Sequence, residues 1–191
     1  DKKKQIIKVR LDDFTKIKND DIFYELCFCI LTPQTNAKSA DRCIKELRKI
    51  DFKNVYKINP SKLLTNIRFN RNKSKYLIEV KDRYSLILQK LNEIKNSSEL
   101  REWLVKNVKG LGHKESSHFL RNIGYRNLAI LDRHILKNLK RFNVIDEIPK
   151  SLTKNKYFEI ENKFKEFSKK VNIPIDELDL LLNKIPRIIL I

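Results

Sequence analysis

An all-α fold is predicted from three observations. Apolar residues recur at helical spacing along most of the chain, and no stretch alternates apolar and polar residues convincingly enough for a sheet. Only three glycines occur in 191 residues, and all lie between 110 and 124, so turn punctuation is concentrated in one place. Apolar residues make up 41% of the chain, enough for a real interior at a length that suits one domain or two small lobes sharing a core.

Taken in order, residues 1–20 are polar and basic, with Ile6, Ile7, Val9, Leu11 and Phe14 as the only candidate anchors. A helix is predicted from Asp21, carrying Ile22, Phe23, Leu26, Cys27 and Ile30 and stopping near Thr32 and Pro33. Its apolar density predicts a central helix covered on several sides. A second helix is predicted over 37–49. A single long one is predicted over 72–92, where Tyr76, Leu77, Val80, Tyr84, Ile87 and Leu91 fall near helical spacing. A short helix over 98–107 leads to a glycine-marked hairpin at 108–112. The helix that follows, at 113–123, can be closed by Gly124 with positive φ. Further helices are expected over 128–139, 154–170 and 174–185, the last two separated by a break at 172–174. Asp176 and Glu177 suit the start of the last one, where a helix favours negative charge.

Charge narrows the class of partner. Lys and Arg number 42 against 24 acids, a net charge of +18. Basic residues outnumber acidic ones three to one between 38 and 90. Solubility does not require such one-sidedness, which costs self-repulsion, so a polyanion is the expected partner. No long apolar run or secretory segment is present, which favours nucleic acid over a membrane. The three cysteines, Cys27, Cys29 and Cys43, form neither a disulfide framework nor a zinc or iron–sulfur set, and buried free thiols are expected. The three histidines have no carboxylate or cysteine cluster around them, so neither a metal nor a cofactor is expected.

The hairpin carries the first chemical signal. Gly110 and Gly112 flank Leu111, which lets the chain turn sharply while Val108 and Leu111 anchor it. Amides at the start of the next helix would then form a cradle for a phosphate, although the same pattern serves an ordinary helix–helix turn. Lys114 lies in the first turn of that helix. It reads either as a solvent-facing lysine or as a nucleophile. A cation there works against the helix dipole by typically about 0.3–1 kcal/mol. Together with burial and neighbouring cations, that field favours the neutral amine, the form that attacks. Eighteen residues later Asp132 follows Ile130 and Leu131. It can cap the helix containing Ile135 and Leu136, and that role is compatible with a catalytic one if an oxygen stays directed into a cleft.

The run from Val105 to Gly124, with Leu111-Gly112-His113-Lys114-Glu115-Ser116-Ser117 at its centre, and the run from Leu128 to Leu136 resemble the signature of the helix-hairpin-helix glycosylase superfamily. More narrowly they resemble the archaeal and thermophilic 8-oxoguanine DNA glycosylase/lyase type 2 group. Phe28 to Ala37, Ile67 to Phe69 and Lys73 to Tyr76 resemble that group too, so the likeness covers roughly residues 20–140.

The resemblance implies a helix-hairpin-helix DNA glycosylase fold of two helical lobes with a cleft between them. The approximate lobes are 21–125, including the hairpin at 105–116, and 1–20 plus 126–191, within one catalytic domain 1–191. It implies a bifunctional DNA glycosylase/AP lyase acting in base excision repair on double-stranded DNA, as a monomer in the cytoplasm or at the nucleoid. Lys114 would attack C1′ of a flipped 8-oxoguanine nucleotide and Asp132 would stabilise the developing positive charge. A Schiff base and β-elimination would follow.

Gly110, Gly112, Lys109 and Arg133 are the expected DNA-backbone contacts. Gln34, His134 and Phe69 are the candidate base or cleft contacts, although Phe69, like Trp103, reads first as a packing residue. His113 reads as exposed. At the C-terminus the resemblance implies an aromatic-containing helix and a terminal lysine that close the base pocket. Residues 181–191 instead carry no tryptophan and end on Ile191, with Lys184 and Arg187 as the available cations. The competing readings are a glycosylase of the same fold for oxidised pyrimidines or mismatched bases, and a helix-hairpin-helix DNA-binding module without catalysis.

Overall fold

Side-chain caps written in the sequence set where several helices begin. Asn36 accepts the Lys38 amide at the head of α3 (Ala37–Lys49), and Asn96 accepts those of Ser98 and Glu99 at the head of α6 (Ser97–Asn107). Thr153 does the same for α9 (Lys154–Lys170). The computed structural model describes residues 2–17 and 19–183, and among them it holds helices, one 3₁₀ turn at Pro60–Leu63 and no strand. The helices gather into two units, one of residues 19–119 and one of residues 2–17 with 120–183.

In the first unit α2 (Asn19–Leu31) is the central helix that its composition predicts. Phe23, Leu26, Cys27, Cys29, Ile30 and Leu31 are fully buried along it, and α3 and α4 (Asn70–Asp82) pack on it. The long helix expected over 72–92 is two. Arg83, at φ −103° and ψ 8°, separates α4 from α5 (Tyr84–Glu93), and its guanidinium donates to the Asn107 carbonyl at 2.8 Å. The break swings the Tyr84 ring to 5.0 Å from that of Phe23, which helical spacing alone does not anticipate.

α7 (His113–Asn122) starts in this unit and ends in the other. It closes as the sequence predicts. Gly124 has φ +98°, its amide reaches the Arg121 carbonyl, and the Tyr125 amide reaches that of Leu120. A Cβ at Gly124 would stand 3.2 Å from the Thr15 Cα, so the end of α1 (Lys2–Thr15) also requires glycine there.

The second unit holds α1, α8 (Arg133–Arg141), α9 and α10 (Ile175–Leu182). Of the candidate anchors in α1, Ile7, Leu11 and Phe14 are buried at i, i+4, i+7 and face Leu180, whereas Ile6 and Val9 stay exposed. Leu136, Leu139, Tyr157, Ile160, Phe164 and Leu178 build the main core. The helix expected over 128–139 starts only at Arg133, because residues 128–132 run non-helically. Residues 184–191, which include Lys184, Arg187 and Ile191, lie outside the described residues. No described helix is long and apolar enough to cross a membrane, and the three cysteines are free and buried.

Candidate active site

The hairpin is built around one obligatory glycine. Gly110 has φ +90°, and a Cβ there would stand 2.8 Å from Cδ2 of Tyr76 and 3.3 Å from Cγ2 of Ile30. Gly112 differs: its φ is ordinary, and a Cβ would meet only a Glu115 carboxylate oxygen. Val108 and Leu111 are buried at 3% and 5% exposure, and the Leu111 amide turns back to the Val108 carbonyl. Both glycines are exposed, and the head of α7 is where a helix leaves amides without intrahelical partners. Lys109 stands beside this turn, 67% exposed, with Glu79 at 3.0 Å.

Lys114 occupies the first turn of α7 and is about one-third exposed. Neighbouring cations are expected around it from the sequence, but its close partner is the Glu115 carboxylate at 2.9 Å. The reason is local. Glu115 is an acid in the first turn, where the dipole favours it, and it is largely buried against the hairpin, so it draws the adjacent ammonium to itself. His113 is also not free scenery: its Nε2 lies 2.8 Å from Glu102 of α6, with the ring only 14% exposed. That contact ties the first turn of α7 to the helix before the hairpin.

A recess of about 320 Å³ opens beside the hairpin, lined by Ile30, Pro33, Gln34, Phe69, Lys73 and Tyr76 among others, with Gly110 at its edge. The volume is in the usual range for a small-molecule or base-sized site, about 300–1,000 Å³. The structure thus brings Gln34, Phe69 and Gly110 together within one unit. Phe69 is not the packing residue that its type suggests: it is 53% exposed, with the Arg68 guanidinium over its ring at 5.0 Å. It is held outward because its backbone is left-handed, φ +59°, at the start of α4. Trp103 is half-buried on α6.

Asp132, Arg133 and His134 belong to the other unit, at the head of α8. Asp132 is the N-cap: its Oδ1 accepts the Ile135 amide at 2.8 Å, and Oδ2 has no hydrogen-bond partner among the described residues. Arg133 and His134 are exposed on the first turn. What precedes Asp132 explains how it is held. Asn127 has φ +67°, and from there the chain over residues 128–131 runs buried and without regular structure. Side chains take up its backbone instead. The Asn127 amide donates to Asp176, that of Ala129 to Glu161 at 2.9 Å, and that of Ile130 to Asp179 at 3.4 Å. The Tyr157 hydroxyl donates to the Ala129 carbonyl at 2.6 Å. Asp179 is fully buried and bonded to Arg121 of α7. Burial pushes its carboxyl up to about 6; Arg121 opposes this and the nearby charge of Asp132 adds to it.

Sequence reasoning did not find these supports. Their one visible signal is the acidic cluster at 176, 177 and 179 on an otherwise apolar helix. It also missed Lys73, a lysine only 4% exposed, whose burial lowers it to about 8. Nothing but its place on the inner face of α4 marks it out.

Comparison with known proteins supplies the family. A family model described as 8-oxoguanine DNA glycosylase matches residues 7–173. The 8-oxoguanine DNA glycosylase/AP lyase of Fusobacterium nucleatum is 47% identical over 188 residues, covering 92% of this chain and 86% of that protein. Among solved structures, the Methanocaldococcus jannaschii 8-oxoguanine glycosylase/lyase in complex with a 15mer DNA containing 8-oxoguanine is 40% identical with a TM-score of 0.84, covering 94% of this chain and 88% of that one. The 8-oxoguanine DNA glycosylase of Thermotoga maritima is 30% identical with a TM-score of 0.83, at 96% and 90% coverage. With its two all-helical units, glycine hairpin and match across most of its length, the chain belongs to the 8-oxoguanine DNA glycosylase family of the helix-hairpin-helix superfamily.

Proposed function

We infer that this protein is a bifunctional 8-oxoguanine DNA glycosylase/AP lyase, with Lys114 as its nucleophile and Asp132 as its electrostatic partner. The observation that carries the reading is the setting of Lys114: a partly exposed amine in the first helical turn after the glycine hairpin, in a chain that matches this family over residues 7–173. Amides at the head of α7, with Lys109 and Arg133, hold DNA phosphates without reading sequence. Extruding the damaged nucleotide costs a few kcal/mol, which contacts to the bases repay, and Gln34 and Phe69 at the recess are the residues for it.

Chemistry begins when Lys114 passes its ammonium proton to water and leaves its pair with Glu115. The amine forms a bond to C1′ of the sugar while the C1′–N9 bond breaks, its electron pair leaving with the base. The carboxylate of Asp132, its Oδ1 committed to the Ile135 amide, stabilises the cationic character of the sugar in that transition state. Ring opening produces a Schiff base, which acidifies the neighbouring C2′ proton and allows β-elimination of the 3′ phosphate.

Borohydride reduction of the enzyme on duplex DNA containing 8-oxoguanine tests the assignment. The wild type should give a covalent adduct, and Lys114→Gln should give none and lose excision by about 10⁴-fold or more. Strand cleavage surviving in Lys114→Gln would remove the assigned nucleophile. An adduct that forms only on oxidised-pyrimidine DNA would move the substrate.

A further inference from the structure

Two side-chain-bearing residues at the recess have left-handed backbones: Gln34 at φ +54° and Phe69 at φ +59°. Neither is glycine, asparagine or aspartate, so each conformation costs energy and persists only where the surroundings enforce it. What enforces both is one pair of side chains.

Lys73 lies on the first turns of α4, and its backbone amide donates to the Phe69 carbonyl at 3.0 Å. Its ammonium crosses to the other side and spends its three donors on the turn that carries Gln34: the Leu31 carbonyl at 2.8 Å, the Pro33 carbonyl at 2.7 Å and the Thr35 hydroxyl at 3.0 Å. That hydroxyl also accepts the Arg68 amide at 3.3 Å, and it donates its own proton to Pro33. Thr35 therefore joins the residue after Gln34 to the residue before Phe69. Two exposed, strained residues are thus tied to each other through a buried lysine.

An ordinary role for Lys73 would be to cap the last carbonyls of α2. A cap, however, does not need a desolvated ammonium, and it does not explain why the lysine also reaches beyond the helix end to Pro33 and Thr35. We propose that Lys73 and Thr35 are positioning residues: a clamp that fixes Gln34 and Phe69 relative to one another, presetting the edge of the recess that receives bases of the distorted duplex. The proposal rests on the assignment of Gln34 and Phe69 as base contacts made above. A preset edge matters because the clamp removes the ordering that each side chain would otherwise undergo on meeting DNA.

The test uses the full-length enzyme and compares two single-turnover rates. One is excision from duplex DNA with 8-oxoguanine opposite cytosine. The other is cleavage of a preformed abasic site, which has no damaged base to hold. Fluorescence of 2-aminopurine placed beside the lesion follows base extrusion. Lys73→Met should lower excision about 10–100-fold, the scale of a small misplacement, with abasic-site cleavage falling several-fold less. Its fluorescence rise should be slower or smaller. Thr35→Val removes the bridging hydroxyl but leaves the Lys73 ammonium its two carbonyl acceptors, so it reports even where Lys73→Met folds poorly. It should lower excision about 3–10-fold, with Thr35→Ser recovering most of the rate.

Equal losses in both reactions, or no loss in excision for either variant, would overturn the clamp. Failure of the underlying assignment looks different. Gln34→Ala and Phe69→Ala would then excise as fast as the wild type, whatever the clamp variants do. If those two variants are impaired while Lys73→Met and Thr35→Val are not, the base contacts stand and the clamp alone falls.

Discussion

The two units hold their candidate functional residues by opposite means. In residues 19–119 the hairpin, Gln34 and Phe69 depend on special backbone conformations: φ +90° at Gly110, φ +54° at Gln34 and φ +59° at Phe69. In residues 120–183 Asp132 ends an irregular buried segment in which the amides of Asn127, Ala129 and Ile130 are bonded by acidic side chains from α9 and α10, far away in sequence. The first strategy stores strain in the backbone. The second buries charge, and the desolvation it costs is offset only while every partner stays in place.

The largest test of this contrast is Asp179→Ala. It leaves Arg121 buried without its carboxylate and strips the Ile130 amide of its acceptor, so a loss of about 3–5 kcal/mol is expected in urea unfolding. A loss under about 1 kcal/mol would mean the charge network is not what holds the segment before Asp132.

Next come the two hairpin glycines, which look alike in sequence and should not behave alike. Gly110→Ala combines positive φ with a Cβ 2.8 Å from the Tyr76 ring, and should cost about 1–3 kcal/mol. Gly112→Ala meets only a movable carboxylate and should cost under about 1 kcal/mol. Equal costs would show that the hairpin is not enforced at Gly110.

Asp132→Asn separates capping from catalysis at one position. Asparagine caps as well as aspartate, so stability should change by less than about 0.5 kcal/mol. Excision should nevertheless fall about 10²–10³-fold for want of the charge. Loss of stability in parallel with activity would reduce Asp132 to its cap.

The smallest effects lie in pH, and they report each unit in a separate window. Asp179 is raised to about 6 in the folded protein, so between about pH 4 and 6 the folded state holds more protons than the unfolded one. Its contribution is therefore greatest at acid pH and is lost as pH rises through that window. Lys73 is lowered to about 8, so from there up to the ordinary lysine range the unfolded state holds more protons and stability rises with pH. A rise of about 1–2 kcal/mol should be seen in urea unfolding and should vanish in Lys73→Met.

The contrast between the units also explains what could be read from residues alone. Caps at Asn36, Asn96, Asp132 and Thr153 and the Gly124 closure are interactions within a few residues, and the hairpin anchors Val108 and Leu111 belong to the same short range. The misread helix over 72–92 comes from longer range. The series Tyr76 to Leu91 is continuous in spacing, yet the chain breaks at Arg83, whose guanidinium bonds the Asn107 carbonyl at the end of α6. Residues 128–131 look helical, but an Asp132 that caps at residue 133 already excludes a helix running through it. The path of this segment then depends on Glu161, Asp176 and Asp179.

Composition, helical spacing and the glycine cluster by themselves determined the all-helical class, the polyanion partner expected of a charge of +18 and the hairpin with Lys114 at its exit. The family signature resides in that same contiguous run. Tertiary structure alone decided which distant groups meet: Asp179 on Arg121, and a lysine at 73 buried to hold Gln34 and Phe69. The physical reason is range. Backbone preference and capping act over a few residues, whereas the desolvation that makes a buried charge informative exists only after distant helices have closed around it.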